Sequence, residues 1–164
     1  MAQSSASDRS DTWGGLIEMP QHQVIQVALL GIILGLVAWI GSVVIKQAIL
    51  TPLFCGDPTN GVCINATNVA GNASAVVVAF FGLMGLVRLS VYRPLLIALA
   101  VLISLWGIGG WTNGLEWYEA IAWFIALYTF CYLAFSWLVR PRSFAPTIIL
   151  VLVAVAAIRF LPML

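Results

Sequence analysis

The sequence predicts an all-α integral membrane protein with five transmembrane helices. Three observations lead there. Of its 164 residues, 62% are apolar and only 8% charged, where soluble domains carry about 25% charge. A soluble globule could not cover so much apolar surface. The charges also punctuate: long uncharged runs occupy 19–45, 58–87, 94–115, 120–139 and 143–158. Finally, the bases gather between alternate runs, as they do in loops on one side of a membrane. A spanning helix needs about 20 apolar residues, with roughly 17–25 tolerated. The spans are therefore placed at about 24–45, 69–87, 95–111, 120–139 and 146–162. The runs lack polar alternation, which argues against a β-barrel, and backbone in hydrocarbon must then be helical.

Residues 1–23 read as a polar cytoplasmic tail, and 24–164 as a single helical bundle. The tail has no basic n-region or cleavage site, and the run after it is too long for a signal-peptide core, so span one is expected to be an uncleaved anchor. Its residues Ala28, Gly31, Gly35, Ala38 and Ser42 recur in steps of three and four and share one helical face. Small residues let helix backbones approach closely, and in lipid that packing drives association. The face can seat a helix of this chain, with Gly82 and Gly85 of span two as candidates to oppose it, or serve self-association or a partner subunit.

Lys46 follows span one and reads as an end residue whose ammonium reaches water. The outer loop 46–68 carries Cys55 and Cys63 around GDPTNGV. Asp-Pro and Asn-Gly favour turns, which can bring the thiols to disulfide distance, and an extracytoplasmic side is oxidising. A structural disulfide is expected. A redox-active pair is less suited, because the spacing is not C-x-x-C and no basic residue stands beside either thiol. Asn65-Ala-Thr67 and Asn72-Ala-Ser74 match N-x-[ST], the second too near the membrane for glycosylation.

Arg88 and Arg93 follow span two; Arg140 and Arg142 follow span four. As topology determinants, they set both short loops and the N-terminus in the cytoplasm and the C-terminus outside. Gly107, Gly109 and Gly110 can break span three near its outer end. Leu86-Val87-Arg88 through Pro94 aligns at constant offset with Leu138-Val139-Arg140 through Pro146. This suggests a tandem two-helix repeat after the anchor helix, its copies related by an axis along the membrane normal. Outer aromatic residues (Trp106, Trp111, Trp117, Tyr118 and Trp123) fit an interfacial belt. Cys131, mid-span, reads as a small packing residue.

Arg159 is the one base inside a span. A charge there is costly unless it snorkels or pairs, so an ion pair with Glu116 or Glu119 is expected at the outer rim.

The sequence offers no catalytic constellation, no cofactor motif and no metal-ligand set. His22 stands without a second ligand at metal spacing, and no basic field exists for nucleic acid. A proton-coupled exchanger would want an intramembrane carboxylate, and a retinal protein a lysine in its last helix. The reading that remains is a non-catalytic accessory, scaffold or assembly subunit in a plasma (inner) membrane complex, with the bilayer and other membrane subunits as its surroundings. Its alternatives are a small oligomeric solute or ion transporter, or an extracytoplasmic thiol-disulfide protein.

Overall fold

The computed structural model describes residues 21–56, 61–91, 93–139 and 144–160, with side chains throughout except at 144–147 and 157–160. All regular structure among them is helical. Among the described residues, four helices are long and apolar enough to cross a membrane: Gln21–Phe54, Ala66–Arg88, Pro94–Trp111 and Trp117–Leu138. The chain is a membrane-embedded helical protein.

The first crossing helix comprises α1 (Gln21–Val44), a π-helical segment (Ile45–Leu50) and α2 (Thr51–Phe54). Its 34 residues reach about 51 Å at 1.5 Å per residue, well beyond the hydrocarbon core of about 30 Å. The expected loop 46–68 is therefore mostly helix. A charge at Lys46 does not end a helix, and the residues after it (QAIL) are compatible with one. Pro52 cannot donate, and its ring would press on a carbonyl one turn back. The π segment loosens that turn, and the Lys46 carbonyl accepts both the Thr51 backbone N–H and the Thr51 hydroxyl, the latter at 2.8 Å. Gln21 to Gln23, expected in the tail, also belong to α1; residues 1–20 lie outside the described residues.

After α3 (Gly61–Ile64), α4 runs from Ala66 to Arg88. It closes on a Schellman-type turn: Ser90 N–H donates to the Val87 carbonyl at 3.0 Å and Val91 N–H to that of Leu86 at 3.1 Å. The turn holds Ser90 at φ 52°. Arg93, also left-handed at φ 54°, then precedes α5 (Pro94–Ser104), where Pro94 begins a helix without needing its missing donor. The third crossing breaks at Gly107 (φ 91°) and resumes as α6 (Ile108–Trp111), at the glycine run that the sequence singles out. Long α7 (Trp117–Leu138) follows, then α8 (Phe144–Phe160). The 17 residues of α8 make about 25 Å, a little under the hydrocarbon thickness.

The core explains why α1 is central. Gly31 and Gly35 lie against α7 backbone: a Cβ on Gly31 would stand 2.7 Å from Thr129 Cα, and one on Gly35 2.8 Å from Ile125 Cα. Ala38, from the same face, is fully buried, whereas Ala28 and Ser42 are half-buried. The opposing surface is therefore α7. Gly82 and Gly85 do not meet this glycine pair; they receive the side chains of Leu34 and Leu30 on another side of α1. Tyr132, Phe135, Leu86, Ile97 and Ile108 fill the space between helices. A smaller cluster of Leu50, Ala66 and Ala70 lies near the Cys55 end.

Candidate functional site

Polar side chains meet where the first helix loosens and the third one breaks. The start of α4 supplies Thr67, Asn68, Asn72 and Ser74, and its small Gly71 approaches Gly109 of α6, where an added Cβ would run into the Thr67 carbonyl. This contact is possible because neither glycine has a side chain to hold the helices apart. The break leaves a backbone donor at Gly107, and the Asn72 amide oxygen accepts its hydrogen at 2.8 Å. Irregular backbone at membrane depth requires such a partner.

Two residues further along α4, the Ser74 hydroxyl donates to the Ala38 carbonyl at 2.7 Å and so ties α4 to α1. Toward the surface, the Lys46 ammonium donates to Thr67 Oγ1 at 2.7 Å. Lys46, Ser42, Thr67, Thr112, Trp39 and Phe124 surround a cavity of about 110 Å³. Its hydroxyls are already engaged: Ser42 donates to the Trp39 carbonyl at 2.7 Å and Thr112 to that of Ile108 at 3.0 Å. The ammonium keeps further donor capacity, so this small cavity can hold a water or a compact acceptor.

Lys46 is therefore anchored across the α1–α4 hairpin rather than free at a helix end. Sequence reasoning missed the junction because it read the polar run of α4 as sequons and loop. The available signal was the placement of Thr67, Asn68, Gly71, Asn72 and Ser74 within two helical turns.

Cys55 and Cys63 stand at disulfide-bonding distance, with α-carbons 5.1 Å apart. They join the end of α2 to α3; the intervening turn residues 57–60 lie outside the described residues. Glu116 and Glu119 are exposed at the start of α7, where acids complement the helix dipole. Their expected partner Arg159 belongs to α8, but its side chain lies outside the described residues, as do Arg140 and Arg142. Arg88 and Arg93 occupy the opposite end, flanking the α4–α5 turn. Cys131 is buried in α7. Among the described residues, no group of three His, Cys, Asp or Glu is placed to hold a metal.

No protein-family model, curated protein or solved structure matches the chain.

Proposed function

We propose that this chain is a non-catalytic accessory, scaffold or assembly subunit of a membrane complex. The observation that carries this reading is the use of its interior polar groups. Ser74 holds the Ala38 carbonyl and Asn72 the Gly107 amide, so they fasten helices to one another. The bundle they stiffen turns Ile25, Leu29, Ile33, Phe80 and Met84 outward, toward lipid or a neighbouring subunit. In the proposed topology α8 is a fifth crossing, the N-terminus and the Arg88–Arg93 turn face the cytoplasm, and the disulfide end faces outward. The matching arginine and proline positions make α4–α5 and α7–α8 tandem copies. The test is purification at native expression in mild detergent. Co-migration with other membrane proteins at constant stoichiometry is expected; elution of the chain alone refutes the reading.

A small-solute or ion carrier is the second reading, favoured by the broken third crossing and the polar cavity at Lys46. Broken helices mark substrate sites in several transporter folds. It predicts liposome flux that Lys46→Met reduces; equal flux with protein-free liposomes rejects it.

A further inference from the structure

We propose that the cavity beside Lys46 is a binding site for one small monovalent inorganic anion of the halide class. The cavity encloses about 110 Å³, with walls from α1, the start of α4, α6 and the start of α7. The proposal rests on the carrier reading for its cavity and names the substrate class of that site; binding and flux are measured apart.

Three features select this ligand. The first is charge. Among the described residues, Lys46 is the one charged group in the lining, and its ammonium meets the Thr67 hydroxyl at 2.7 Å and no carboxylate. A cation set against apolar helix surface calls for an anion. One positive charge matches one negative charge and repels a metal ion. The second is the supply of hydrogen. Lys46 and Thr67 both line the cavity, so their hydrogen bond keeps the ammonium beside it. An ammonium has three donors, and two remain after Thr67. The Thr67 oxygen accepts, which leaves its own hydrogen to donate. Ser42 and Thr112 turn theirs to backbone carbonyls, so the anion is held from the Lys46–Thr67 side. The third is size. Sites for organic ligands enclose about 300–1,000 Å³. At about 30 Å³ per water, this cavity admits the volume of about three or four waters, which suits an ion that keeps part of its hydration shell. A lipid phosphate brings ester arms that this volume does not admit. Lys46 is exposed, which gives the ion its way in.

The experiment is equilibrium binding of radioactive chloride to the full chain in uncharged detergent, with ionic strength held constant by gluconate. The wild type should bind one chloride saturably. Bromide and nitrate should displace it, and gluconate, too large for the cavity, should not. Lys46→Gln, which keeps a donor for Thr67 but no charge, should abolish binding. Thr67→Val should weaken it about tenfold, the loss of one hydrogen bond to a charged group. Arg88→Gln, at the opposite end, should leave it unchanged. Absence of saturable binding by the wild type overturns the proposal, as does equal loss in the Arg88 and Lys46 variants. Displacement of chloride by added phosphatidylglycerol also overturns it, because the site would then belong to a lipid phosphate. The displacement series on the wild type decides the matter even if Lys46→Gln fails to fold. Liposome flux separates the two readings: saturable binding without flux upholds the site and rejects the carrier, whereas flux without chloride binding rejects the site alone.

Discussion

Tyr132 packs its phenol end against Gly82. Tyr132 is fully buried, and its hydroxyl has no hydrogen-bond partner among the described residues. The oxygen occupies the space where a Cβ on Gly82 would project. Removing a buried, unpartnered hydroxyl should not destabilise, so Tyr132→Phe is expected to keep or raise the detergent melting temperature. Gly82→Ala should lower it by the equivalent of about 1–3 kcal/mol of overpacking. In the double variant the ring has lost the colliding oxygen, so its melting temperature should exceed that of Gly82→Ala alone. Strict additivity of the two changes would contradict the contact. Ser90 offers the opposite opportunity. It holds φ 52° at the end of α4, a conformation that costs a non-glycine residue about 1–2 kcal/mol. Ser90→Gly should therefore raise stability by about 1 kcal/mol in thermal unfolding, and an unchanged or lower value would count against the turn geometry. The sequence marks Gly82 as a packing residue but gives no sign that Tyr132 is what it packs against. A buried tyrosine and a mid-helix glycine become a pair only once two distant helices are placed together.

At the scale of the helices, the small-residue face of α1 was readable because a period near 3.6 places Gly31, Gly35 and Ala38 on one stripe. Its partner was not readable. The α7 surface that meets the glycine groove is chiefly backbone at Phe124, Ile125 and Thr129, residues that carry no small-residue signature. A groove has a sequence pattern, whereas the ridge that fits it can be almost any run of side chains. Gly35→Leu is expected to push α1 away from α7, since the new side chain meets backbone at Ile125 rather than a movable side-chain tip. Circular dichroism should show helix retained while the melting temperature falls sharply; an unchanged melting temperature would mean that the two helices do not cross there. The end of the first helix was misjudged for a related reason. A charge marks the membrane boundary, but a helix ends only where its backbone ladder ends, and here the ladder shifts to π spacing and continues through Thr51–Phe54.

For the whole molecule, composition settled the solvent: a chain with 8% charge has too few polar groups to face water. It could not reveal how the ends are secured. The disulfide pair closes a short loop between α2 and α3, and loop-closure entropy for such a ring corresponds to about 2–3 kcal/mol. Cys55→Ala/Cys63→Ala should lose that amount in thermal unfolding, and reductant should reproduce the loss in the wild type. If neither treatment changes the transition, the cap is held by the Leu50, Ala66 and Ala70 cluster instead.

The central position of α1 has a further consequence for how the protein is made. The glycine groove emerges from the ribosome well before its filler, around Ile125 and Thr129. At about 5–20 residues per second the groove waits about 5–20 s for its partner. Through that interval the nascent chain displays a close-packing surface with nothing in it. A chain stalled before Trp117 would keep that surface open permanently, ready to capture a second unfinished copy or to be recognised by membrane quality control. Completion of α7 is thus the event that closes the glycine groove of α1.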